Sequence, residues 1–389
     1  MLDVKSHAPH DALRVLVARF DPCVIDVPRG RARIRLQVGS EHWDAFLQDG
    51  GVELVPADPR LAPDALLSAD EETWRRVAGD VRGGMEAFRK RRLEVRLNLH
   101  LGVGFLAATS GMTDPGRLRF DSVPTAEGTI SILSAGSGDP VLCVHGLGGT
   151  KASFLPTVAA LADRNRVIAL DLPGFGESDK PLSAPYDAAY FARSVFALMD
   201  SLGIERAHLI GNSMGGRVAI EAGLLDRRRV DRIVLLSPAL AWLRERRLKW
   251  LLQLPLPRLG LIQPTPRWAT EPIVRSLVPG GADGWAAAGV DEFLRSYLTP
   301  RGRAAFYEAA RNIYLDEPHG ENGFWTRLAS LSCKTMFVWG RRDALVPIAF
   351  MKHVQRTLPA ARHVELDCGH VPQLERPRQT HEAVREFLP

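Results

Sequence analysis

The residues best suited to covalent chemistry are Gly211-Asn212-Ser213-Met214-Gly215-Gly216. A short apolar run at 208–210 precedes them and a helix-forming run at 217–225 follows. A serine in G-x-S-x-G between a strand and a helix marks a sharp turn that lifts a hydroxyl above a sheet edge. Gly211 and Gly215 suit that turn because a Cβ at either position would crowd neighbouring backbone. The helix that follows presents its positive end to the hydroxyl and favours negative charge there. Such a serine attacks a carbonyl carbon once a base removes its proton. The plainer reading is a glycine-rich junction carrying an inert serine.

The base must come from eleven histidines. His370 stands out in Asp367-Cys368-Gly369-His370, directly after a strand expected at 363–366. That places it on a loop at the same sheet edge as Ser213. His353 and His381 fall in expected helices, and His363 in a strand. An acid is needed to orient the base. Asp343 follows Trp339-Gly340-Arg341-Arg342 and the strand expected at 335–338, so it shares that edge. The alternative for Asp343 is a turn aspartate capping the helix after Pro347. Two N–H donors must hold the oxyanion. Met214, the residue after the serine, supplies one. Leu147, in His145-Gly146-Leu147-Gly148-Gly149 after the strand at 141–144, supplies the other. His145 is read as packing that loop, and the segment 171–178 as a structural turn that walls the pocket.

The elements that position these groups come in two halves. Residues 11–108 read as α+β. Strands are expected at 31–38, 43–47 and 52–55, with Asp49-Gly50-Gly51 turning a hairpin, then at 65–67. Ser68 with Glu71 has capping-box spacing and opens a helix through Trp74. A second helix is expected at 84–90. Leu93, Val95, Leu97, Leu99 and Leu101 alternate as one more strand. Residues 109–116 have linker composition. Residues 116–389 alternate strand and helix, the pattern of a mostly parallel, doubly wound sheet. Segments 117–120 and 129–133 add an antiparallel edge. The alternation stops at 238–329, a helical insertion read as a cap over the carboxyl edge. Its Trp242, Trp250 and Leu251 are candidate substrate-binding residues, and Arg244, Arg246, Arg247 and Lys249 beside them leave peripheral membrane contact open.

Composition bounds the rest. The chain has 389 residues, 50 Lys+Arg against 45 Asp+Glu, 46% hydrophobic and 24% charged residues. That excludes a disordered, collagenous or coiled-coil chain. A net charge of +5 without an aromatic-interleaved basic patch argues against nucleic-acid binding. Cys23, Cys143, Cys333 and Cys368 form no C-x-x-C pair, so neither a disulfide framework nor a zinc site is expected. No metal or other cofactor is implied. No secretory leader and no spanning segment is seen, so a cytoplasmic protein is expected. Nothing in the sequence indicates an oligomeric state.

Over 116–389 these motifs together resemble the α/β-hydrolase superfamily: the oxyanion loop, Asp171-Leu172-Pro173-Gly174-Phe175-Gly176-Glu177-Ser178, the serine elbow, and the segments holding Asp343 and His370. The resemblance implies an eight-stranded sheet, a helical cap and a Ser213–Asp343–His370 triad. Relatives that open epoxides or remove halide carry aspartate at the nucleophile, and Ser213 argues against both. Relatives that hydrolyse carbon–carbon bonds share the G-N-S-M-G-G elbow, but their G-P-G loop and downstream asparagine are missing from 148–154. The first half resembles a sterol-carrier-protein type lipid-binding domain, through 63–70, Trp74, 84–88 and 93–99, although Asn98 and Arg91-Arg92 stand where glycine is common. That resemblance implies a five-stranded sheet over a hydrophobic tunnel for acyl chains, sterols or acyl-CoA. The expectation is a serine hydrolase of lipid-like carboxylic esters. Thioester hydrolysis, carbon–carbon cleavage and acyl transfer are the enzymatic alternatives, and lipid transfer is the non-enzymatic one.

Overall fold

The computed structural model describes residues 11–80, 85–241, 260–277 and 284–389. Two compact units emerge. One holds the described residues to Asp121 together with 284–292, and the other holds the remainder.

In the first unit, β1 (Arg31–Val38), β2 (Glu41–Gln48), β3 (Gly51–Pro56), β4 (Ala65–Ala69) and β5 (Glu94–Arg96) form one sheet in the order β3-β2-β1-β4-β5. β1 runs antiparallel to β2 and parallel to β4. Ala32, Ile34, Leu36 and Val38 of β1 are buried, while Arg33 and Arg35 point to the other face. There both guanidiniums pair with Asp44, whose side chain is fully buried, at 2.9 and 2.8 Å. Asp49 and Gly50 both have positive φ, which makes the β2–β3 hairpin a two-residue turn of the type that matches strand twist. The helices are α1 (Asp11–Ala18), α2 (Glu71–Gly79), α3 (Met85–Arg89) and α4 (Leu99–Ala108).

Two local expectations fail. Asp70, not Ser68, caps α2: its carboxylate accepts the Thr73 N–H at 2.7 Å, and Ser68 is a strand residue. The expected strand 93–101 stops at Arg96. Leu97 turns the chain at φ 71°, Asn98 caps α4 through the Leu101 N–H at 3.0 Å, and all ten residues of α4 are buried. An apolar segment buried on every side carries no period that separates strand from helix. The same unit takes in Asp291 and Glu292. Asp291 accepts from Arg96 and from the Leu97 N–H, and Glu292 from the Leu99 N–H at 2.6 Å.

The second unit is built on an eight-stranded sheet of β6 (Arg119–Thr125), β7 (Gly128–Ala135), β8 (Asp139–Val144), β9 (Asn165–Leu170), β10 (Ala207–Asn212), β11 (Val230–Leu236), β12 (Lys334–Gly340) and β13 (Arg362–Leu366). The order is β13-β12-β11-β10-β8-β9-β7-β6, parallel from β13 to β9 and antiparallel where β7 joins β9. Val141–Val144 and Val167–Leu170 are buried on both faces, which is why these strands read as unbroken apolar runs. Helices α5 (Leu155–Leu161), α6 (Ala188–Ser201), α7 (Met214–Leu225), α8 (Arg267–Leu277), α9 (Gly284–Tyr297), α10 (Pro300–Tyr314), α11 (Phe324–Ala329), α12 (Met351–Thr357), α13 (Pro372–Glu375) and α14 (Pro377–Phe387) complete the chain. Trp242, Trp250 and Leu251 lie outside the described residues.

Candidate active site

Ser213 sits between β10 and α7 with φ 53° and ψ −116°, a backbone conformation that a side chain rarely adopts. Such a residue costs about 1–3 kcal/mol and persists only where its surroundings enforce it. The enforcement is visible. A Cβ on Gly211 would run into the Gly215 carbonyl, and one on Gly215 into the Val144 carbonyl. The Ser213 N–H donates to Leu236 at 3.0 Å, and its carbonyl accepts from Ala239 at 2.8 Å. The residue is half-buried at the start of α7.

The two other expected partners meet. His370 Nδ1 lies 2.8 Å from Asp343 Oδ2. Asp343 Oδ1 accepts the N–H groups of Leu345 and Val346 at 2.8 and 2.9 Å. Burial pushes the Asp343 carboxyl up, but the adjoining His370 ring and those two N–H groups outweigh it and hold it below the usual carboxylate range. With its acceptor ionised, His370 Nδ1 is the nitrogen that carries hydrogen, which leaves Nε2 as the basic one. Asn212, one residue before the nucleophile candidate, donates from Nδ2 to the carbonyls of Leu236 and His370 at 2.9 and 3.1 Å. It therefore ties the serine turn to the histidine loop.

Sequence reasoning missed a second tie. Glu375 accepts the Gly369 and Val371 N–H groups at 2.7 and 3.0 Å, so one carboxylate staples both sides of His370. The signal was a glutamate a few residues beyond G-H-x-P. Gly340 lets the two loops approach, since any Cβ there would strike the Gly369 carbonyl.

The loop carrying Leu147 abuts the serine. A Cβ on Gly146 would stand 3.2 Å from Ser213 Cβ, and Gly149 N–H closes a turn onto the Gly146 carbonyl at 3.0 Å. Met214 begins α7 and is buried. His145 is fully buried, with both ring nitrogens on backbone groups. Its Nε2 accepts the Leu172 N–H at 3.0 Å and its Nδ1 meets the Gly146 carbonyl at 2.7 Å. Burial holds this ring below the usual histidine range despite Asp171 nearby. The predicted turn after β9 is therefore bonded to the loop it faces.

Over Gly148, at φ 72°, lies a set of rings that the sequence did not flag. A Cβ there would collide with Phe293 and come within 3.3 Å of Phe306. Phe293 stacks on Tyr297 at 5.2 Å and meets Phe306 edge-on at 5.6 Å. The Tyr297 and Tyr307 hydroxyls are hydrogen-bonded at 2.7 Å. These half-buried aromatic side chains flank the loop expected to hold the oxyanion. Among the described residues, no cluster of three histidine, cysteine or acidic side chains could hold a metal, and no helix is long and apolar enough to cross a membrane.

A family model described as the alpha/beta hydrolase fold matches residues 139–377. The chain belongs to the α/β-hydrolase-fold family. It is 33% identical over 257 residues to a Pseudomonas putida dihydrolipoyllysine-residue acetyltransferase component of an acetoin cleaving system, a match that takes in 66% of this chain and 65% of that one. It is 30% identical over 274 residues to a 2-hydroxy-6-oxo-6-phenylhexa-2,4-dienoate hydrolase of Burkholderia cepacia, across 67% of this chain and 91% of the relative. Among solved structures, a thermophilic esterase from Thermogutta terrifontis matches at 26% identity with a TM-score of 0.56, over 69% of this chain and 97% of the esterase. The family match begins beyond Asp121, past the first unit's sheet.

Proposed function

We propose that this α/β-hydrolase-fold enzyme is a serine hydrolase that cleaves carboxylic esters of apolar, lipid-like acids. The observation that carries the reading is a strained Ser213 backbone-tied through Asn212 to a histidine whose Nδ1 is held by an ionised aspartate. In the proposed reaction Ser213 Oγ attacks the ester carbonyl while His370 Nε2 takes its proton. Asp343 keeps the ring oriented and stabilises the imidazolium. The Met214 and Leu147 N–H groups hold the oxyanion. Collapse expels the alcohol, which receives the proton from His370. Water, deprotonated by the same ring, then releases the acid and restores Ser213. Phe293 and Phe306 beside Gly148 support an apolar acyl group. The five-stranded first unit supports an accessory role in holding the lipid or its product. The four free cysteines support a reducing, cytoplasmic setting.

Carbon–carbon bond hydrolysis is the second reading, favoured by the Burkholderia relative. A dienoate substrate brings a carboxylate that needs a cation. The two buried cations closest in sequence to the site, Lys151 and Arg217, are already paired with Asp171 and Asp316, each at 2.6 Å. That supports the ester reading. The test is hydrolysis of p-nitrophenyl esters of increasing chain length, set beside 2-hydroxy-6-oxo-6-phenylhexa-2,4-dienoate, with Ser213→Ala as control. Ester turnover that rises with chain length and vanishes in the variant is expected. Faster turnover of the dienoate would overturn the assignment in favour of carbon–carbon cleavage.

A further inference from the structure

Lys151 opens the short 3-10 turn 151–154 that leaves the oxyanion loop, and it is only 2% exposed. Its Nζ lies 2.6 Å from Asp171 Oδ2 and 3.0 Å from Ser131 Oγ. Its own N–H donates to Asp171 Oδ1 at 2.7 Å. One carboxylate therefore grips both ends of the same residue. Asp171 also accepts the Glu177 N–H at 2.9 Å, and Gly176 packs so close that no Cβ would fit against the carboxylate. At the other end of the loop, His145 is fixed by Leu172, the residue after Asp171. Both pins thus attach to the turn after β9, and they bracket Leu147.

A buried ion pair is a poor way to gain stability, because desolvation consumes most of the attraction, and apolar residues of equal volume often do as well. What this pair adds is direction. The loop between the pins contains Gly146, Gly148 and Gly149, whose peptide planes would otherwise turn with little steric resistance. Rotating the peptide plane that carries the Lys151 N–H would break its bond to Asp171 Oδ1, and the ammonium on Oδ2 keeps the carboxylate in place to receive that N–H. We propose that Lys151 is a positioning residue that, with Asp171, aims the Leu147 N–H at the oxygen on which charge develops. The proposal rests on the serine-hydrolase reading above. Burial opposes ionised Asp171, yet Lys151 beside it holds the carboxyl well below the usual range.

Lys151→Met removes the ammonium while keeping side-chain volume. Displacing rather than deleting an oxyanion donor is expected to lower kcat by about 10- to 100-fold, with KM changed less than about twofold. A trifluoromethyl ketone reports the donor directly, since Ser213 Oγ adds to its carbonyl and leaves a tetrahedral oxyanion. Its affinity falls by the same factor as kcat/KM. Lys151→Gln keeps a polar donor near Ser131 without the charge, and serves as the second variant if Lys151→Met does not fold. Thr157→Val is the control: it loses a buried hydrogen bond to His381, 2.9 Å long and outside the loop, and lowers Tm while leaving kcat and ketone affinity unchanged. Folded Lys151 variants that keep wild-type ketone affinity overturn the proposal, whatever happens to kcat. A wild type that binds neither the ketone nor a fluorophosphonate brings down the nucleophile reading itself, a distinct result.

Discussion

Two loops at the carboxyl edge of the large sheet each carry a histidine beside a glycine, and they put it to opposite uses. After β8, His145 spends both ring nitrogens on backbone groups of Leu172 and Gly146 and is wholly buried. After β13, His370 gives Nδ1 to a carboxylate and stays partly exposed. Backbone partners suit a neutral ring and make its protonation unfavourable. A carboxylate partner makes the imidazolium tolerable, which is what a base that must take a proton and return it requires. The residue type is the same; the partners fit a structural role for His145 and the proposed base role for His370.

Removing the proposed reacting groups should have the largest effect. Ser213→Ala and His370→Ala are each expected to lower kcat/KM for a p-nitrophenyl ester by about 10⁴- to 10⁶-fold with Tm nearly unchanged. A His370→Ala variant retaining a tenth of wild-type activity would erase the contrast between the loops. Asp343→Asn comes next, with an expected loss of about 10⁴-fold in kcat, because Nδ1 then meets an amide that cannot stabilise the charged ring. His145→Gln should behave differently. Activity should stay within about tenfold and the pH–rate profile should not shift. Unfolding in urea should show a stability loss of about 1–3 kcal/mol from backbone groups left unpaired. A displaced pH profile would show that His145 titrates during turnover, against the role its partners imply.

The same contrast explains what could be read in advance. The serine turn is legible because its chemistry is local: two glycines and a serine between a strand and a helix state their own geometry. Asp343 and His370 are legible through strand order, since each follows a strand of a parallel sheet and so lands at one edge. Lys151 and Asn212 act through partners far away in sequence, and nothing in their local spacing announces those partners. Glu375 acts on Gly369 and Val371 close by, but a glutamate at that spacing has many other uses. Phe293 and Phe306 meet Gly148 only because helices α9 and α10 pack over the loop, a tertiary outcome. Segment 93–101 failed for another reason. Alternating leucines suit a strand, but Leu97 at positive φ and the Asn98 cap start a helix whose every face is buried. Two local signals outweighed a pattern that complete burial had made uninformative.

A third ring sharpens the comparison at smaller amplitude. His381, on α14, is 6% exposed and meets Thr157 Oγ1 at 2.9 Å through Nε2. Burial, with Arg385 adding to it, pushes this histidine down to about 4. The ring is therefore neutral in the folded protein at pH values where the unfolded chain, with an ordinary histidine near 6.5, already binds a proton. Between those two values the unfolded state holds more protons, so stability rises with pH, is fully present above about 6.5 and is lost as pH falls toward 4. At pH 5.5 the contribution lost is about 1 kcal/mol relative to pH 7.5. Replacing the ring by His381→Gln, which cannot titrate, should flatten that part of the profile in urea unfolding while leaving ester turnover unchanged. His145, also buried and held below the usual histidine range, should add a slope of the same sign. An unchanged slope in the His381 variant would mean that burial alone does not set the charge state of these rings, and the distinction drawn from their partners would then have to carry the whole explanation.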